Sequence, residues 1–277
     1  MRLRRVCCRW FVDLVTVKDC NQLERLEIRC ERTGLNVLVQ ISNGTAIDVD
    51  TSLHPLDDPV RTSLRGVHAQ FATWIGRIGR YDPEVARFVG HPPELNEQDW
   101  ADLAATLGPG GGTALRGFGH ELPPGWTVHQ VLDSVQMDGS GLRVAHDPEL
   151  DILTPADVPD MLALIARTDP GPFAPRTIEM GTYLGFRVDG RLVAMAGERM
   201  HPPGWTEISA VCTDAEFRGR GLASRLVRAV GAGIRERGDI PFLHAVAHNT
   251  TAISLYETLG FTLRKRGQLT LVQAPDQ

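Results

Sequence analysis

The six residues Arg218-Gly-Arg-Gly-Leu-Ala223 constrain what this chain can fold into more than any other stretch. They come after an apolar, strand-like run over 206–213 and precede a helical pattern with Leu222, Leu226, Val230 and Ile234 on one face. The first amides of a helix have no internal partners and lie at the positive end of its dipole. With no side chains at Gly219 and Gly221, a diphosphate can come close enough to accept several of those amides. The plain alternative is an ordinary glycine-containing connection between a strand and a helix.

The elements around that turn are legible from their spacing. A strand is predicted over 142–146. Thr154 as a cap, Pro155 in the first turn and Asp157 three residues past the cap then mark a helix start. The apolar face of that helix is Val158, Met161, Leu162 and Ile165. Strands over 183–188 and 191–200 meet at Asp189-Gly190, a pair suited to a tight hairpin because both central residues take positive φ. A third strand over 206–213 continues an antiparallel arrangement. After the glycine turn come a helix over 221–237 ended by Gly238, a strand over 242–247, a helix over 250–259 stopped by Gly260, and a last strand over 261–272. This order predicts an α+β domain with a mixed, mainly antiparallel sheet flanked by helices.

The earlier part of the chain reads differently. Residues 1–50 form an extension, basic and cysteine-rich at its start, with a short strand over 36–42 ended by Asn43-Gly44. A divergent α/β domain is expected over 51–138. Val60, Leu64, Val67, Phe71, Trp74, Ile75 and Ile78 trace one face of a single helix between 57 and 79. A second helix over 96–107 turns Trp100, Leu103 and Leu107 inward and stops at Gly108. The glycine run 108–112 lacks the Lys-Ser/Thr ending of a P-loop and is read as a loop. A strand over 126–137 ends at Asp138-Gly139, where the domain over 139–277 is expected to begin.

A second motif narrows the meaning of the first. Asn249-Thr-Thr-Ala-Ile-Ser-Leu-Tyr256-Glu-Thr-Leu-Gly-Phe261 leaves a strand, runs through a short helix and enters the next strand. Together with Arg218, Gly221 and Ala223 at the turn and Val211-Cys-Thr213 before it, this resembles the coenzyme A-binding core of the GNAT superfamily of N-acetyltransferases. The resemblance is greatest to the glycine N-acyltransferase-like subgroup, whose members carry a divergent, GNAT-like half before the catalytic one. It covers residues 140–272, with the specific motifs inside 207–261. Ala223 stands where the family often has glycine, and Ala215 where proline is frequent before the loop.

The resemblance implies the GNAT acyltransferase fold, with acetyl-coenzyme A or another acyl-coenzyme A as co-substrate and no metal. The pantetheine arm would pair with Val211, Cys212 and Thr213 as an added strand. The diphosphate would take the amides of Gly219, Arg220, Gly221, Leu222, Ala223 and Ser224, with Arg218 or Arg220 adding positive charge. Asn249 would lie near that arm, where two strands part. Tyr256 matches the residue that protonates the departing thiolate. A phenol, with a reference pKa near 10, is protonated at neutral pH. The alternative for Tyr256 is core packing beside Leu255 and Leu259. Glu207 matches a region where some relatives keep a carboxylate that deprotonates the amine through water, and burial would raise its pKa toward that task. It reads equally well as a solvated residue at a strand start. A backbone amide, that of Val211, would hold the oxyanion. The implied reaction is direct attack by a primary amine, in a small molecule or a peptide, within a ternary complex. The alternative is a coenzyme A-binding sensor without turnover.

Composition bears on the remaining classes. At 42% hydrophobic and 23% charged residues the chain is far from the signature of disorder. A formal charge of −5 gives no general attraction to nucleic acid or anionic lipid. The sequence has no apolar run of about 18 residues, so no membrane span is expected. The start Met1-Arg-Leu-Arg-Arg looks like the charged region of a signal peptide, but Arg9 and Asp13 interrupt the apolar run after it, and a cytoplasmic location is expected. Cys7, Cys8, Cys20, Cys30 and Cys212 show no C-x-x-C spacing, which suits a reducing compartment. Only two of the 29 basic residues are lysine, a bias that points to a GC-rich bacterial source. His244 and His248, four apart on a strand, lack a third ligand, so a metal is not expected. Cys212 lacks a neighbouring base and reads as a small hydrophobe, not a nucleophile.

Overall fold

A computed structural model describes residues 25–29, 36–42, 45–46, 54–117 and 122–276. It divides into two units, Met1–His54 and Pro55–Gln277. In the first, β1 (Arg25–Arg29), β2 (Asn36–Ser42) and β3 (Thr45–Ala46) pair antiparallel in that order. The strand predicted over 36–42 is β2. The reading of the chain start and of its four cysteines lies outside the described residues.

In the second unit Asp58 accepts the Arg61 amide at 3.0 Å and opens α1 (Pro59–Arg65), with proline in the first turn. Here the structure corrects the single helix predicted over 57–79. The chain leaves the helix at Gly66 and enters a hairpin of β4 (Ala72–Ile75) and β5 (Ile78–Tyr81), turned by Gly76 at φ 53°. Over so few residues, the apolar spacing of Trp74, Ile75 and Ile78 suits either period, and the two glycines decide against helix. β6 (Val89–Gly90) completes this small sheet. α2 (Glu97–Leu107) starts with a capping box between Asn96 and Asp99, ends at Gly108 and buries Trp100 and Leu103.

β7 (Gly112–Arg116) and β8 (Thr127–Asp138) come next. The strand predicted over 142–146 is absent. The Arg143 amide instead bonds the Leu259 carbonyl (3.1 Å) and the Ala145 amide that of Arg228 (3.3 Å), so this segment ties down helices and pairs with no strand. After β9 (Asp151–Ile152), a capping box of Thr154 and Asp157 and a tight turn lead into α3 (Val158–Thr168), which buries Met161 and Leu164. Asp189 and Gly190, at φ 49° and 81°, join β10 (Tyr183–Val188) to β11 (Arg191–Glu198). Then come β12 (Trp205–Thr213), α4 (Leu222–Glu236), β13 (Ile240–Val246), α5 (Thr250–Leu259) and β14 (Thr262–Gln273).

Eight strands form one sheet in the order β7-β14-β8-β13-β12-β11-β10-β9, in which only β12 and β13 pair parallel. Gly139, where the sequence placed a domain boundary, lies inside the Pro55–Gln277 unit. β8, from before that point, sits between β13 and β14 and bonds to both. α4 and α5 pack on one face over Val135, Met137, Val193, Ile208 and Leu243. The opposite face is covered by α3 over Leu192, Met195 and Cys212, and by α1 and the small sheet over Met200 and Phe242.

Candidate active site

β12 and β13 pair from Trp205↔Ile240 to Glu207↔Phe242, and there the ladder stops. Beyond it, β13 runs with β8 as far as Val246↔Ser134 while β12 runs with β11. The two strands therefore splay, and from 208 to 213 one edge of β12 has no neighbour. Such an edge offers a row of free N–H and C=O groups to an extended ligand. The same stretch carries a bulge. Gly197 pairs with Ser209 but Met195 with Cys212, one residue too many on β12, and Ala210 sits at φ 52°. A residue with a Cβ rarely takes that conformation, and the bulge turns backbone groups around Ala210 and Val211 out of the regular ladder.

β12 leads through a tight turn over Ala215–Phe217 into the glycine turn. Gly219 and Gly221 both adopt φ 76°, the left-handed region that favours glycine, although a Cβ at either would meet nothing within 4 Å. Backbone conformation, not crowding, is what requires glycine here. The first helical bond is Arg225 N–H to Gly221 C=O at 3.1 Å, and the amides of 219–224 have no partner in the described chain. Arg218 donates to the Thr213 carbonyl (3.2 Å), and Arg220 donates to the Glu216 carbonyl (3.2 Å) while lying 4.8 Å from the centre of the Phe217 ring. Both thus brace the loop and bring charge to it. Leu222 is buried and anchors the first turn, with Ala223 and Ser224 half-buried beside it.

On the same face, Asn249 caps α5 by accepting the Ala252 amide at 3.1 Å, just past the end of β13. Tyr256, about two turns further on, packs its ring edge-on to Phe261 (5.9 Å) within the cluster that holds Leu222 and Val211. Its hydroxyl bonds no described residue, and burial pushes its pKa up to about 12. It is therefore a protonated phenol at any ordinary pH. Cys212 points to the α3 side, 6% exposed, its thiol raised to about 11 by burial, which suits a packing residue. Its neighbour Thr213 has an enclosed, unpartnered hydroxyl.

Glu207 and His244 lie at the closed end of the splay, on the face opposite α4 and α5. Glu207 is fully buried and takes two 2.7 Å bonds from Arg199 and one of 2.7 Å from His244 Nδ1. The sequence expectation that burial would raise this carboxyl is reversed. Burial does push it up, but the charge and bonds of Arg199, with those of His244, outweigh that and hold it well below the usual carboxylate range. Burial lowers His244 to about 4. Its Nε2 meets the Gln136 amide (3.1 Å), Gln136 accepts from Arg264 (2.6 Å), and Arg264 reaches Asp57 (2.9 Å). His248, paired with His244 in the sequence reading, lies beyond the end of β13. Sequence reasoning missed this buried chain of polar groups. The visible signal was a Glu-Arg pair, Glu198 and Arg199, ending an otherwise apolar strand.

A sheet that opens between its two parallel strands, with a bulged free edge leading into a glycine turn and a bare helix start, defines an acyltransferase of the GNAT type. A family model described as FR47-like protein matches residues 183–269. The chain is 42% identical to a structure from Novosphingobium aromaticivorans described as a GNAT-family acetyltransferase, with a TM-score of 0.74, covering 80% of this chain and 99% of that one. It is 33% identical to the N-alpha-acetyltransferase RimI of Mycobacterium tuberculosis over 113 residues, 37% of this chain and 70% of that protein. It is 36% identical to the mycothiol acetyltransferase of Pseudarthrobacter chlorophenolicus over 155 residues, 51% of this chain. The match spans 44% of that relative's length. A GCN5-related N-acetyltransferase of Kribbella flavida, at 16% identity and a TM-score of 0.51, shares the fold. The chain belongs to the GNAT family of acetyltransferases.

Proposed function

We propose that the protein transfers an acetyl group from acetyl-coenzyme A to a primary amine by direct attack in a ternary complex. The observation that carries this reading is the free, bulged edge of β12 continuing into the unpartnered amides of 219–224. The thioester arm pairs along Val211, Cys212 and Thr213, and the diphosphate takes the amides of Gly219, Arg220, Gly221, Leu222, Ala223 and Ser224, with Arg218 alongside. The Val211 amide holds the oxyanion. Tyr256 gives its proton to the leaving thiolate. Asn249 fixes the start of α5 and so aims Tyr256.

Glu207, buried and paired with Arg199 and His244, holds the closed end of the splay in this reading, and the amine attacks in its neutral form after giving its proton to solvent water. As a base Glu207 would have to give up its pair with Arg199. The strand contributed by residues before Gly139 agrees with a glycine N-acyltransferase-like ancestry, and we place that subgroup here with the acceptor, a small-molecule or peptide amine, and a cytoplasmic location. Among the described residues no helix is long and apolar enough to cross a membrane.

Calorimetric titration with acetyl-coenzyme A, followed by thiol-release assays over a panel of amines, tests the reading. Binding together with amine-dependent thiol release supports an enzyme. Binding without release for any amine favours a sensor, and no binding removes both.

A further inference from the structure

The glycine run 108–112, read from sequence as a plain loop, borders a pocket that acyl transfer does not use. Leu107 ends α2, and the chain then turns back at once into β7 through Gly108 and Gly110, at φ 77° and 62°. At Gly111 a Cβ would lie 2.4 Å from the Leu107 carbonyl oxygen, so a turn this tight needs glycine there. Two backbone bonds brace it against the chain end, Gly110 N–H to the Pro275 carbonyl (3.0 Å) and Ala274 N–H to the Gly111 carbonyl (2.9 Å). The turn sets the start of β7 beside the end of α2. With residues of β5 and β6 they enclose a pocket of about 260 Å³.

The lining of this pocket combines positive charge with apolar surface. Arg80 and Arg87 both line it, and no carboxylate does. Arg80 Nη1 donates to the Thr106 carbonyl at 2.6 Å, which holds the guanidinium at the end of α2 and satisfies one of the helix's last carbonyls. Arg87 is exposed, and its guanidinium has no hydrogen bond or ion pair among the described residues. The acids on either side of Pro83, Asp82 and Glu84, are instead drawn to Arg176, at 2.6 and 3.8 Å. Thr113 also lines the pocket. It is 8% exposed and its hydroxyl is enclosed with no partner among the described residues, whereas a buried hydroxyl is ordinarily bonded. Val89 and Leu107 supply apolar surface beside it.

These features select a ligand. Two guanidiniums with no acid among the lining residues match a doubly charged oxyanion, and the Thr113 hydroxyl adds a neutral donor. The volume is below the about 300–1,000 Å³ of pockets for drug-sized ligands, so coenzyme A does not fit and a small metabolite does. No lining residue belongs to β12, to the turn at 218–223 or to α5. We propose that this pocket is a second ligand site that binds a small organic phosphate, its phosphoryl group held by Arg80, Arg87 and Thr113 and its short apolar body lying on Val89 and Leu107. The proposal goes beyond acyl transfer and does not depend on it.

The test uses the full chain with saturating coenzyme A, so that the helix start at Leu222 does not draw the probe. It is titrated calorimetrically with phenyl phosphate, inorganic phosphate and benzoate. Phenyl phosphate is expected to bind about ten-fold or more tightly than either of the others. Arg87→Ala and Thr113→Val should each weaken it about ten-fold, with coenzyme A affinity unchanged. Thr113→Val keeps the side chain's shape and removes an unbonded hydroxyl, so without ligand it should melt no lower than the parent, which separates lost binding from lost folding. No binding of phenyl phosphate up to about 10 mM overturns the proposal, as does equal affinity for benzoate or for inorganic phosphate. Binding unaltered in either variant also overturns it, since the ligand then sits elsewhere. Failure of the unaltered protein to bind coenzyme A would bring down the acyltransferase reading alone, and the same titrations without coenzyme A would still decide this one.

Discussion

Neutralising Glu207 leaves the Arg199 guanidinium buried beside an amide, and breaking a buried pair on one side is costly. Glu207→Gln is expected to lower stability by about 3 kcal/mol, read from the urea midpoint. The sign with pH comes from a depressed folded pKa. The Glu207 contribution is present above the unfolded carboxyl value of about 4.3 and is lost as pH falls toward the folded value, so the variant's acid limb is shallower. Histidines act in a neighbouring window. Burial, then the charge of His201, holds His68 near 4, and its bonds to Tyr81 (2.7 Å) and the Met180 carbonyl (3.2 Å) keep it in place. In the unfolded chain His68 and His244 take up protons near pH 6.5, so stability falls between pH 6.5 and about 4, and His68→Gln flattens that limb. For Tyr256→Phe the expectation is a loss in thiol release of about 100-fold with acetyl-coenzyme A affinity unchanged. An unaltered rate would remove the acid role.

Elements ask for different evidence, because here conformation matters more than any one side chain. Gly221 combines positive φ with a place at the diphosphate, so Gly221→Asp adds both strain and repulsion and should abolish coenzyme A binding by calorimetry while the protein stays folded. Ala210 makes the opposite case. Glycine takes φ 52° without penalty, so Ala210→Gly should leave thermal unfolding unchanged or raise stability by up to about 1 kcal/mol. The β-branched Ala210→Val should destabilise and weaken acyl-coenzyme A binding together. If Ala210→Val binds as well as the parent, the bulge is not part of the ligand site. The glycine turn was legible because glycine in αL is a local property. The bulge was not, since nothing about alanine announces positive φ. Only the register of β12 against β11 forces it.

At the scale of the molecule, the sheet is continuous across the point where the sequence suggested two domains. A chain beginning at Gly139 lacks β7 and β8, which leaves β13 and β14 without the strand between them. That chain is expected to show no cooperative unfolding. One beginning at Pro55 should retain both a single transition and coenzyme A affinity, as measured by circular dichroism and calorimetry. The order of elements from α3 to β14, the hairpin at Asp189-Gly190, both motif helices and the glycines that end them came from sequence alone, because turn chemistry and apolar period act within a few residues. Residues 57–79 and 142–146 were misread for the same reason. Their local patterns allow two structures, and contacts far along the chain chose between them. Tertiary structure alone decided that β8 completes the catalytic sheet and that Arg199 turns Glu207 from a candidate base into a buried, paired anion. Each of these depends on which strands lie side by side, and strand order is set by long-range pairing that no local stretch of sequence encodes.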